Sequence, residues 1–91
     1  MEIKDTCLYI HTRKSDGGIF YVGIGDKKRP YSKRSRNRYW RHIVNKHGFD
    51  VTILKTDMSW KEACELEIKM IAFYGRINPN KDNPNYGFLV N

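Results

Sequence analysis

The sequence predicts an α+β domain: a small three-stranded sheet, mixed or antiparallel, flanked by helices. Three observations lead there. Residues 7–12 and 19–23 are short runs rich in aromatic and β-branched side chains, and Asp16-Gly17-Gly18 between them is turn chemistry. Apolar residues recur at helical spacing in 36–47 and again from Ser59 to Tyr74. Residues 50–55, Asp-Val-Thr-Ile-Leu-Lys, read as a strand between those helices. A chain of 91 residues, 40% hydrophobic, has material for one modest core and reads as one domain over 1–91.

In the first strand Cys7, Tyr9 and His11 share one face, and Leu8 and Ile10 share the other. In the second, Phe20 and Val22 alternate with Ile19 and Tyr21. With Leu8, Ile10, Phe20 and Val22 turned to the core, Tyr9 and Tyr21 lie together on the opposite face. Gly23 and Gly25 end the strand. Residues 27–34 form a loop or a short helix broken near Pro30. In 36–47, Tyr39, Trp40, Ile43, Val44 and His47 lie on one side, and Arg38, Arg41, His42 and Lys46 on the other. Gly48 is a natural C-cap, and His47 suits the negative end of the helix dipole. Ser59 with Glu62 forms a capping box for the last helix, which Gly75 stops. Residues 76–91 are rich in Asn and Pro and read as loop, with Phe88-Leu89-Val90 as a short edge strand. Trp40 and Trp60 read as core or staple residues.

Charge is strongly polarised. The net charge is +7, and 27–47 holds nine Lys or Arg with no Asp or Glu. The remaining eight basic residues are outnumbered by the ten acids. Lys27, Lys28, Arg29, Lys33, Arg34, Arg36, Arg38, Arg41 and Lys46 alternate with Tyr31, Tyr39, Trp40, His42 and His47. Such one-sidedness points to an anionic partner, nucleic acid ahead of a membrane surface, since the segment lacks a continuous apolar face for lipid. The longest apolar run, Met70 to Tyr74, is far too short to span a bilayer, and no secretory signal is expected. Two cysteines cannot build a disulfide framework or a four-ligand metal site, which suits a reducing cytoplasm.

One carboxylate is out of place. Glu65 can pair with Lys69 on a solvated helix face. Glu67 instead has Ala63 and Cys64 one turn before it and Met70 and Ile71 one turn after it. A carboxylate there needs a partner such as a buried arginine, a metal ion, or water access at a cleft.

In order along the chain, Cys7-Leu8-Tyr9, Tyr21-Val22-Gly23-Ile24-Gly25, Arg29-Pro30-Tyr31, Arg36-Asn37-Arg38-Tyr39-Trp40 and Asn45-Lys46-His47-Gly48 resemble the GIY-YIG nuclease family. They look most like its phage-type, single-domain branch. Glu65-Leu66-Glu67-Ile68 with Ile71, Tyr74-Gly75-Arg76 and the late Asn91 continue the likeness. It covers about 7–91, and the ordered set is more specific than either tyrosine motif. The resemblance implies a GIY-YIG-like fold and a divalent-metal-dependent endonuclease that hydrolyses DNA phosphodiesters with Mg2+ or Mn2+. It implies double-stranded DNA as partner and a cytoplasmic location, in the host cell if phage-encoded.

The resemblance also assigns roles. Tyr9 is the general base or a partner of the attacking water. Tyr21 orients water or phosphate, Arg29 offsets charge on the scissile phosphate, Glu67 holds the metal, and Asn91 supports the site. Arginine suits an anionic phosphodiester because its planar fork binds two oxygens at once. A phenol, with an ordinary pKa near 10, needs nearby cations to act as a base. Two departures stand out: Cys7 replaces the family's first glycine, and Lys33 stands where a histidine is usual. Lysine binds phosphate but shuttles protons poorly near neutrality, leaving Tyr9, His11 and His42 as candidates to assist. Around the site, Lys27, Lys28, Arg34, Arg36, Arg38, Arg41 and His42 are expected to bind nucleic acid. The alternatives are a catalytically silent nucleic-acid-binding domain and a protein-interaction module on the same fold.

Overall fold

The computed structural model describes residues 3–76 and 89–91. Its first hairpin forms because Asp16 ties its own turn. The Asp16 carboxylate accepts from the Gly18 backbone N–H at 2.8 Å and from Arg13 Nε at 2.9 Å. Gly17 supplies the left-handed backbone, φ 74°. The turn joins strand β1 (Thr6–Arg13) to β2 (Ile19–Gly25), and β3 (Phe49–Met58) pairs with the other side of β1. Both pairings are antiparallel, so the sheet has the order β2-β1-β3. With helices α1 (Arg38–His47) and α2 (Trp60–Arg76), the fold is α+β. β1 is central and almost wholly buried.

Leu8, Ile10 and Val22 form the core together with Met58 and Ala63. Ile19, Ile24, Leu66, Met70, Ile71, Tyr74 and Leu89 pack around them, so α2 covers this face. Phe20 is not among them, contrary to the alternation read from sequence. His11 pairs with Tyr21 and Thr12 with Ile19, leaving Phe20 as the extra residue of a β-bulge. The bulge restarts the alternation. Ile19 joins the core, and the Phe20 ring lies 6.0 Å from that of His11, on the other face.

α1 begins at Arg38, two residues later than expected. The Asn37 side chain accepts from the Trp40 N–H at 2.8 Å and so sets the N-cap. Gly48, φ 68°, donates to the Val44 carbonyl and closes the other end. The capping box of α2 is formed: the Glu62 N–H donates to Ser59 Oγ at 3.2 Å, and the Ser59 N–H to the Glu62 carboxylate at 3.4 Å. α2 passes through Gly75, a tolerated though unfavourable helix residue. Arg29–Tyr31 is a single 3-10 turn, and Pro30 lies within it rather than breaking it. Asp26 caps that turn by accepting from the Lys28 and Arg29 N–H groups.

Phe88 lies outside the described residues, and Leu89 and Val90 form no strand. The Val90 N–H nevertheless donates to the Phe20 carbonyl at 2.8 Å. The Asn91 side-chain amide donates to the Val22 carbonyl and accepts from its N–H at 3.1 Å. Both act on the outer edge of β2. No helix among the described residues is long and apolar enough to cross a membrane.

Tyr9 stands opposite Gly23, and its ring occupies the space a Cβ would need there. Gly23→Ala should therefore lower the melting temperature by overpacking, at about 1–3 kcal/mol. An unchanged thermal melt would show that the ring can step aside.

Candidate functional site

The face of the sheet opposite α2 carries an aromatic cluster. Tyr9 and Tyr21 lie side by side, ring centroids 6.3 Å apart, with His11 5.0 Å and 5.4 Å from them. His11 is fully buried, with no exposed surface. Trp40 Nε1 donates to His11 Nδ1 at 2.9 Å, and His11 Nε2 lies 2.7 Å from the Pro30 carbonyl. An indole N–H can only donate and a carbonyl can only accept. His11 is thereby fixed as the neutral Nε2–H tautomer, a strut between α1 and the 3-10 turn. Burial pulls its pKa down to about 4; the Pro30 carbonyl works against this, and the Arg36 and Arg29 charges reinforce it.

Arg36 closes the cluster. It is 7% exposed, and its guanidinium donates through Nε to the Ser32 carbonyl (3.0 Å), Nη1 to the Tyr9 hydroxyl (3.0 Å) and Nη2 to the Arg29 carbonyl (2.7 Å). Its Cζ also lies 5.2 Å from the Tyr21 and Trp40 ring centroids. Where the sequence sets Arg36 among the nucleic-acid contacts, the fold buries its guanidinium against three carbonyl and phenol oxygens and the aromatic faces. The remaining basic candidates, Lys27, Lys28, Lys33, Arg34, Arg38, Arg41 and His42, are exposed. Exposed Tyr39 stacks under Arg38, 5.3 Å from its Cζ.

Arg29 is half-buried. Its Nη1 donates to the Arg34 carbonyl at 2.7 Å and Nη2 to the Ser35 carbonyl at 3.1 Å. Its stem crosses Gly25 where a Cβ would lie, so a side chain at that position would push it away. Beside it opens a cleft of about 410 Å³ lined by Ile24, Gly25, Asp26, Lys28, Ser32 and Trp60. Trp60 was expected to be a core or staple residue, but it is 61% exposed. The capping box makes it the first residue of α2, before the stripe that faces the sheet.

Glu67 follows Trp60 by two helical turns, about 10 Å along the same side of α2. It is half-buried, and burial pushes its carboxyl pKa up. It makes no ion pair or hydrogen bond among the described residues. The ion-pair alternative thus finds no arginine among the described residues. No cluster of three or more His, Cys, Asp or Glu that could hold a metal occurs among the described residues.

The structure gathers Tyr9, Tyr21, Arg29, Arg36, His11 and Trp40 around the 3-10 turn, and Asn91 on the backbone of Val22 between Tyr21 and Gly23. It does not bring Glu67 to the tyrosines. Glu67 belongs to the helix covering the opposite face of the sheet. Tyr9 is 1% exposed. Burial pushes its phenol pKa up, against the opposing pull of the Arg36 hydrogen bond. Sequence reasoning named His11 only as a possible assistant. Its place two residues from Tyr9, on the same strand face, was the available signal. No family model, curated protein or solved structure matches the chain.

Two outcomes follow. Between about pH 6.5 and about 4 the unfolded chain protonates His11 while the folded chain refuses the proton. Stability should fall as pH drops through that window. Thermal melts from neutral to acidic pH should show this loss, and His11→Gln, which cannot titrate, should show a shallower one. Second, Arg36→Ala should destabilise by about 2–3 kcal/mol, because buried oxygens lose a charged donor. Arg38→Glu, on an exposed residue outside that cluster, should leave the melt almost unchanged. Equal melts for all these variants would contradict the buried role of Arg36.

Proposed function

We propose that this chain is a divalent-metal-dependent endonuclease that hydrolyses DNA phosphodiester bonds in a cytoplasmic setting. The observation that carries the reading is Glu67. A half-buried carboxylate with apolar neighbours and no partner among the described residues is costly to keep charged. A divalent cation would offset that cost. Mg2+ or Mn2+ fits a single protein carboxylate, since Mg2+ retains several waters and completes its shell with substrate phosphate. Glu67 would hold the ion, which when bound supplies Lewis acidity and lowers the pKa of water.

The chain's own groups do the rest. Lys28 and Arg29 bind the phosphate at the cleft, and Arg29 offsets the charge that grows on its oxygens. Lys33 and Arg34 extend the phosphate contact. Tyr21, half-buried beside Arg36, orients water. Tyr9, with its raised pKa and its hydroxyl accepting from Arg36, positions that arginine rather than serving as the base. Asn91 holds the backbone of Val22, next to Tyr21. Lys27, Arg38, Arg41 and His42 hold the flanking backbone, so affinity should fall steeply with salt. A silent nucleic-acid-binding domain is the second reading. It is favoured by the placement of Glu67 and the tyrosines on opposite faces.

Supercoiled plasmid incubated with Mg2+ separates the two. The wild type should nick it, and EDTA should stop the reaction. Glu67→Gln should cut at least about a hundredfold more slowly, by loss of metal-assisted catalysis. It should keep its DNA affinity and its melting temperature, while Glu65→Gln behaves as wild type. A folded Glu67→Gln protein cutting at the wild-type rate would place the metal ligand elsewhere. No cutting by the wild type would leave the binding domain.

A further inference from the structure

We infer that the cleft beside Arg29 receives a single unpaired nucleotide, its base stacked on the Trp60 indole and its phosphates on Lys28 and Arg29. The inference rests on the nucleic-acid reading above and deepens it by naming the form of DNA.

Three independent features converge. The first is Trp60 itself. It is 61% exposed while Trp40 is 1% exposed, and it lines the cleft, so its ring is open to a ligand there. The reciprocal Ser59 and Glu62 hydrogen bonds set the start of α2 and so place the Trp60 backbone at the cleft. The second is charge. Lys28 and Arg29 line the same cleft as Trp60. The one carboxylate in the lining, Asp26, is turned to the Lys28 and Arg29 backbone N–H groups at 2.9 Å and 3.0 Å. The third is size. A cleft of about 410 Å³ with an apolar floor at Ile24 and Gly25 has room for one base with its sugar.

An aromatic plane beside cationic side chains is the arrangement by which proteins bind single-stranded nucleic acid. The plane takes the face of a base, and the cations take the backbone. A fully paired duplex keeps its base faces inside the stack and cannot offer one to Trp60. The ligand is therefore DNA with a base already out of the stack, as at a bulge, a gap or a single-stranded stretch.

The test uses the full chain in EDTA, so that no cleavage contributes and the result is independent of Glu67. The probes are an oligothymidylate, a blunt hairpin duplex, and the same duplex carrying one unpaired thymidine. Oligothymidylate should quench wild-type tryptophan emission. That quenching should vanish in Trp60→Phe, which keeps an aromatic plane and most of the affinity. Trp60→Ala should bind the oligothymidylate and the bulged duplex about tenfold or more weakly, in line with the loss of one stacked base. Its affinity for the blunt duplex should change less than about twofold. Quenching that persists in Trp60→Phe would come from Trp40 and overturn the inference. So would an equal loss on all three probes in Trp60→Ala, or no loss on any. If Trp60→Ala fails to fold, the emission of Trp60→Phe still decides.

Discussion

Burying a guanidinium without a carboxylate organises this molecule. Arg36 gives its three faces to the Ser32 and Arg29 carbonyls and the Tyr9 hydroxyl, and its plane to the rings of Tyr21 and Trp40. No acid answers its charge among the described residues. Carbonyl dipoles and ring quadrupoles do so instead, and they come from the loop, the sheet and α1 together. Moving any one of those elements would strand a buried charge, so the loop carrying Arg29 has little freedom to drift. His11 adds a second tie between the same elements, and its neutral tautomer is dictated by the partner on either side.

The basic segment consequently has two natures. One arginine is interior scaffolding, and its neighbours on either side in sequence face solvent. Counting charges along the chain treats them alike. Only the tertiary structure separates the arginine that holds the loop from those that can reach an anion.

What the sequence made legible was local. The Asp16-Gly17-Gly18 turn, the Ser59 and Glu62 capping box, the Gly48 cap and the shared face of Tyr9 and Tyr21 all depend on residues within a few positions or on a period of two. Glu67 stood out because a helix places its neighbours by arithmetic. The failures were long-range. The bulge at Phe20 leaves no compositional mark, because either alternation of Ile19 and Phe20 would bury an apolar side chain. The burial of Arg36 depends on Tyr9, 27 residues away, and that of His11 on Trp40, 29 residues away. Trp60 was misjudged for a related reason: the cap fixes where the helix starts, and the first residue of a helix can precede the face that packs. The metal-binding role of Glu67 rests on chemistry that one carboxylate's position alone does not express.

The Val90 and Asn91 contacts have another side, concerning how sheets meet one another. At Phe20 and Val22, the outer edge of β2 has its carbonyls and one N–H answered by a backbone amide and a side-chain amide, which together imitate a neighbouring strand. An incoming chain finds no template there. β3 is the other border of the sheet, ten residues long, and no strand pairs with its outer side among the described residues. It exposes Ile53 and Leu54, but Asp50, Lys55 and Asp57 surround them, and Asp57 turns left-handed at φ 58°. Charges and a kink are the usual means of discouraging strand-to-strand aggregation. The two borders are thus guarded by different devices, one by imitation and one by charge, and only the second weakens as salt rises.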